Sequence, residues 1–161
     1  MKKIYIAGFD VFKPNSKEIG KKYKNICEKY DFIGLYPLDN EIDINWNKDV
    51  AREFIFKKNI ELIEMCDIVI ANGNPFRGDE LDSGTAFEIG YAKALKKEVI
   101  IYMDDTSDYI EKVEFKDNED SQYDKSGMSI ENLGFPLNLM FSDCSIVRGG
   151  FLEAIQEIHQ R

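Results

Sequence analysis

Asp67-Ile68-Val69-Ile70-Ala71, the loop Asn72-Gly73-Asn74-Pro75-Phe76-Arg77-Gly78-Asp79-Glu80-Leu81, and then Asp82-Ser83-Gly84-Thr85-Ala86-Phe87-Glu88-Ile89-Gly90-Tyr91-Ala92 decide the fold. The first segment is continuously apolar and β-branched, the pattern of a parallel strand covered on both faces. Two glycines and a proline make the second irregular. The third has helical spacing, and Asp82 or Ser83 can cap a helix over 83–97. Strand, loop and helix in that order make half of a βαβ unit.

The flanking segments extend the alternation. Upstream, residues 3–7 read as a buried strand ended by Gly8. Residues 16–30 place Ile19, Tyr23, Ile26 and Tyr30 among lysines at helical spacing. Residues 32–36 read as a short strand stopped by Pro37. Residues 47–66 form a long amphipathic helix, with Asp49, Glu53, Lys57 and Glu61 giving i,i+4 charge pairs on its wet side. Downstream, 98–103 is another strand, 130–147 is mostly apolar, and 151–160 is a last helix after Gly149-Gly150. This pattern predicts an α/β fold, one domain over 1–161 with a parallel sheet covered on both faces. Such sheets bind ligands beyond the carboxyl ends of their strands. Gly8–Phe12, the loop 72–81 and the region after Met103 are therefore expected to line one crevice.

Composition narrows the function. The 161 residues are 43% hydrophobic and carry a net charge of −9. That charge argues against nucleic acid or an anionic membrane as partner. Residues 104–126 hold nine acids and three lysines. They read as a solvated acidic loop insert, pictured as a mobile flap near the crevice mouth. The start lacks a secretory signal, and no stretch approaches a membrane span. Cys27, Cys66 and Cys144 are odd in number and widely spaced, which fits a reducing cytoplasm and neither zinc nor redox use. The single histidine, His159, leaves no histidine-rich metal site. Chemistry on carboxylates remains, with no metal and no cofactor.

Glu88 is the leading candidate. In a helix it shares a stripe with Gly84, Thr85, Tyr91, Ala92 and Leu95, while Lys93, Lys96 and Lys97 lie elsewhere. A carboxylate on a small, apolar face is either paired or used. Tyr5 lies in the first strand; its ring suits a core, and its hydroxyl, if buried, needs a partner such as Glu88. Asp82 can act as an N-cap, as a ligand to a sugar hydroxyl, or as a second carboxylate near the first. Phe12 and Phe76 sit on crevice loops and either stack on a planar base or simply pack. Asp67 opens a strand at the end away from the crevice and reads as structural. There is no Walker A sequence and no dinucleotide loop at Ala7–Phe12.

Ile4-Tyr5-Ile6-Ala7-Gly8, Asp67–Ala71, Pro75-Phe76-Arg77-Gly78, Asp82–Ala92 and Pro136-Leu137-Asn138-Leu139-Met140 together resemble the nucleoside 2-deoxyribosyltransferases. The block Asp-x-Gly-Thr-x-Phe-Glu-x-Gly is the most specific part, and the acidic insert the poorest match. The resemblance implies a flavodoxin-like, doubly wound, five-stranded parallel sheet. It implies transfer of the 2-deoxyribosyl group of a 2'-deoxynucleoside to another free nucleobase, a step in nucleotide salvage. Glu88 matches the nucleophile, Tyr5 the tyrosine that hydrogen-bonds it, and Asp82 a carboxylate near sugar and base. Gly8, Phe12, Asn59, Phe76, Gly84 and Met140 fall at substrate-binding positions. Asn138 matches an asparagine that enters the neighbouring subunit's site and holds the 5'-hydroxyl, which implies a homodimer or larger homo-oligomer. Asn59 stands where bacterial members tend to carry an aspartate; an amide can hydrogen-bond a base but is not an anionic acceptor.

The implied mechanism is a double displacement through a covalent glutamyl ester with retention of configuration. Two alternatives accompany it: a hydrolase in which water intercepts the same intermediate, and a non-catalytic nucleoside-binding module, since fold does not fix function.

Overall fold

The computed structural model describes residues 1–40, 45–115 and 122–161. Five strands, β1 (Lys3–Ala7), β2 (Ile33–Leu35), β3 (Ile68–Asn72), β4 (Glu98–Met103) and β5 (Ser145–Arg148), form one sheet in the order β2-β1-β3-β4-β5. Every neighbouring pair is parallel. The fold is the flavodoxin-like α/β arrangement, with helices α1 (Ser16–Lys29), α2 (Lys48–Met65), α3 (Ser83–Ala94), α4 (Tyr109–Lys112) and α5 (Phe151–His159) between and after the strands.

Strand alternation divides the core in two. Ile4, Ile6, Ile68, Ile70, Ile100 and Tyr102 face α1 and α5, packing on Cys27, Phe151, Ala154, Ile155 and Ile158. Tyr5, Ala7, Val69, Ala71, Val99 and Ile101 face α2 and α3, packing on Ile63, Ile89 and Ala92. Tyr5 is thereby aimed at the helix that carries Glu88.

Several local expectations are refined. The second strand is shorter than 32–36, because Phe32 and Tyr36 are buried as its flanks rather than paired in it. On α1 the deepest positions are Gly20 and Cys27. A Cβ on Gly20 would lie 2.3 Å from Tyr36 Cδ1, so only glycine admits the ring there. On α2, Glu53 pairs with Lys57 at 2.6 Å, but Asp49 pairs with Arg52 and Glu61 with Lys58. Asn47 caps this helix through Asp49 N, and Lys97 Nζ closes its far end on the carbonyls of Glu64 and Cys66. Asp67 accepts from Lys3 N at 2.7 Å, joining the entries of two strands.

The region 130–147 holds all but the last residue of β5, which joins the edge of the sheet, and a 3-10 turn at Leu139–Phe141. The insert is more than a loop where it is described: it holds α4 and isolated antiparallel bridges Phe115–Asp124 and Tyr123–Ser129. The rest of it, 116–121, lies outside the described residues, as do residues 41–44. Among the described residues, no helix is long and apolar enough to cross a membrane.

Candidate active site

The site forms where β1 and β2 end against α2 and α3. A cavity of about 300 Å³ is lined by Gly8, Val11, Phe12, Pro37, Leu38, Asn40, Ile55, Asn59, Asp82, Gly84, Thr85 and Glu88. Gly8, Phe12, Asn59, Asp82, Gly84 and Glu88 are thus brought together. A second cavity of about 260 Å³ lies between α2 and α3, lined by Phe56, Asn59, Ile60, Ile63, Gly84, Phe87 and Glu88. Glu88, Gly84 and Asn59 border both.

Glu88 is half-buried beside the buried stripe of α3, which runs through Thr85, Ile89 and Ala92. Ile89, not Gly84 or Leu95, completes that stripe; Leu95 is exposed. Fully buried Tyr5 donates its hydroxyl proton to Glu88 Oε1 at 2.6 Å. No other hydrogen bond to this carboxylate is made among the described residues, so Oε2 has no donor among them. Desolvation raises the Glu88 pKa to about 7 from 4.5; the Tyr5 hydrogen bond opposes the rise and the Asp82 charge adds to it. Burial, and then the facing Glu88 charge, push the Tyr5 hydroxyl well above its usual range, so it remains a donor.

Asp82 is the N-cap of α3. Its Oδ2 accepts from Thr85 N at 2.9 Å and from Thr85 Oγ1 at 3.0 Å. The cap leaves Asp82 at the cavity wall with its other oxygen unengaged by described residues. Asn59 Oδ1 is buried with no hydrogen-bond partner. An unmet acceptor beside a cavity suits a ligand N–H or O–H.

Three expectations are corrected. Phe76 lines neither cavity: its ring stacks on Phe9 and Phe12 at 5.1 and 5.5 Å, with the Arg77 guanidinium 4.6 Å from its centroid. Of the three loops expected to line one crevice, only Gly8–Phe12 does so, through Gly8, Val11 and Phe12. The loop 72–81 reaches the cavity only where it hands over to Asp82. The segment after Met103 packs on that loop instead, through Asp104 N on Asn74 Oδ1 and Tyr109 Oη on Glu80. None of the described residues of the insert lines either cavity, which counts against the flap.

Asn138 and Met140 also lie outside both cavities of the protomer. Asn138 caps the 3-10 turn through Met140 N at 3.0 Å and donates to Glu131 Oε1 at 2.8 Å. Met140 is 80% exposed. Val11, Pro37, Leu38, Asn40, Ile55 and Thr85 line the cavity without having been singled out. Pro37 was the available signal, since it marks the carboxyl end of a strand as Gly8 does. Among the described residues, no group of three or more His, Cys, Asp or Glu could hold a metal ion.

The profile of the nucleoside 2-deoxyribosyltransferase family matches residues 4–140, a span that includes both Tyr5 and Glu88. The chain belongs to this family. A 2-desoxiribosyltransferase from Leishmania mexicana is 36% identical, superposes with a TM-score of 0.81, and is covered over 99% of its length by 100% of this chain. A 2-deoxyribosyltransferase from Bacillus psychrosaccharolyticus is 25% identical with a TM-score of 0.52, over 62% of this chain and 71% of that one. An uncharacterised protein of Schizosaccharomyces pombe is 29% identical over 92% of this chain and 79% of its own. With this membership the chain is an enzyme of the nucleoside deoxyribosyltransferase kind, whose chemistry concerns the N-glycosidic bond.

Proposed function

We propose that this enzyme moves the 2-deoxyribosyl group of a 2'-deoxynucleoside to a different nucleobase through an ester on Glu88, with retention of configuration. One observation carries the reading: a desolvated carboxylate has one oxygen held by Tyr5 and the other without a donor among the described residues, beside a cavity of about 300 Å³. Glu88 Oε2 attacks the anomeric carbon as the C–N bond breaks. The base leaves with the bonding electrons and takes a proton on nitrogen from solvent. An incoming base then attacks the same carbon, returning its own N–H proton to solvent as its new C–N bond forms, and the ester bond breaks to restore the carboxylate. Two inversions give retention, as in retaining glycosidases.

The remaining wall residues have supporting parts. Tyr5 fixes the angle of attack. Asp82 offers its unengaged oxygen to a sugar hydroxyl or to the base. Asn59 offers a neutral acceptor to a base N–H, which holds the leaving group but cannot protonate it. A second copy of the chain supplies Asn138 from its 3-10 turn, a reading supported by the exposed Leu139 and Met140 beside it. The protomer's own Asn138 lies outside its cavity, which fits a site shared between copies.

The test is an exchange assay with one deoxynucleoside and a different free base, followed by mass spectrometry of the enzyme trapped with a slow substrate. A new deoxynucleoside and a deoxyribosyl adduct on Glu88 are expected. Free deoxyribose without exchange would make the enzyme a hydrolase, and neither product nor adduct would leave only binding.

A further inference from the structure

One buried carboxylate takes no part in the chemistry above. Asp10 is 2% exposed, in the 3-10 turn Phe9–Phe12 between β1 and α1. Its Oδ2 accepts from Asn72 Nδ2 at 2.9 Å, from Tyr102 Oη at 3.3 Å and from Tyr23 Oη at 3.4 Å. Its Oδ1 meets Lys13 Nζ at 2.6 Å in an ion pair. These donors come from the end of β3, the end of β4, and α1. A single side chain thus ties one short turn to three elements that are already fixed by the sheet. A buried charge is retained at a cost unless it is paired and hydrogen-bonded; here Oδ2 takes the hydrogen bonds, while Oδ1 has the ion pair and no hydrogen bond among the described residues.

What the turn carries gives the tie its meaning. Gly8, Val11 and Phe12 are cavity wall, and Gly8 seats so closely on β3 that a Cβ would lie 2.7 Å from Asn72 Cβ. The turn follows directly on the strand that bears Tyr5. We propose that Asp10 is a positioning residue, holding the Phe9–Phe12 turn so that Gly8, Val11 and Phe12 form the binding wall opposite Glu88. It lies behind that wall and touches no substrate. The kinetic consequence rests on the proposed function; the mechanical one does not.

The test compares Asp10→Asn, Asp10→Ala and Lys13→Ala with the wild type. The substrate is whichever of deoxyadenosine, deoxyguanosine, deoxycytidine and thymidine the wild type turns over fastest. Asp10→Ala is expected to raise KM about 10-fold or more with kcat within about 3-fold, the pattern of lost uniform binding. The pH midpoint of the Glu88 limb stays in place. Asp10→Asn, which keeps an acceptor and carries no charge, recovers most of the KM, whereas Lys13→Ala, which strips the buried carboxylate of its counter-charge, raises KM in the same direction as Asp10→Ala. In parallel, hydrogen exchange of Asp10→Ala is expected to speed up at residues 8–13 while β3 and β4 remain protected. A fall in Tm with KM unchanged, or a fall in kcat alone, would overturn the assignment. So would exchange that is unaltered or uniformly faster. If the wild type turns over none of the four nucleosides, the proposed function fails by itself, and the exchange pattern still decides whether Asp10 holds the wall.

Discussion

Removing one oxygen atom, in Tyr5→Phe, separates the carboxylate's reactivity from its placement. The Tyr5 hydroxyl donates to Glu88 Oε1 at 2.6 Å and stabilises the anion, against a burial effect that raises the pKa to about 7. A hydrogen bond to a charged group contributes ~1.5–3 kcal/mol. At ~1.4 kcal/mol per pH unit, its loss moves the Glu88 midpoint upward by about 1–2 pH units. At pH 7 the ionised fraction falls from about one half to between roughly one tenth and one hundredth, so turnover drops ~5- to 50-fold. By pH 9.5 most of it returns, because the phenylalanine ring still fills the same space. The assay is the pH dependence of kcat/KM in base exchange, which reports the free enzyme. A midpoint that stays put or moves down, whatever happens to the plateau, would refute the idea that Tyr5 stabilises the attacking anion.

Other variants follow from the same geometry. Glu88→Ala should fold and lose nearly all turnover; full activity would eliminate the nucleophile. Glu88→Gln should be inactive yet more heat-stable than wild type at pH 8 by about 1–3 kcal/mol, and little different at pH 4, measured by thermal unfolding. The sign follows from the raised folded-state pKa: the native protein holds a proton that the unfolded chain releases near pH 4.5, so stability is lost as pH climbs from there through about 7. Asp82→Ala should cost about 1 kcal/mol as a lost helix cap, with a rise in KM beyond what Ser or Asn at the same position produces. Glu88→Ala and Asn138→Ala, each inactive alone, should regain about a quarter of wild-type activity when mixed and allowed to exchange subunits, provided each site draws on two copies. No recovery after demonstrated exchange would place Asn138 outside the shared site.

The sheet was legible because β1, β3 and β4 are uninterrupted apolar runs. Tyr5 and Glu88 could be paired because a buried hydroxyl needs a partner and because the family resemblance places a tyrosine and a glutamate at these positions. β5 was hidden: Ser145-Ile146-Val147-Arg148 is a half-buried edge of four residues, and only its neighbour β4 makes it a strand. Phe76 misled because its loop position was right while its ring was already taken by Phe9 and Phe12. The Asp10 cluster left no local signal, since its donors are separated by as many as 92 positions in the chain. The wall from Pro37 to Asn40 was missed because a polar loop after a short strand looks unremarkable until the strand's direction is known.

Tyr36 fills the notch above Gly20 on the α1 side of the sheet, and the next two residues, Pro37 and Leu38, form part of the cavity wall. Gly20 itself lines no part of that cavity. Enlarging that residue would displace Tyr36 and with it the start of the segment that carries Pro37 and Leu38, so the shape of the cavity can be altered from a position that lines none of it.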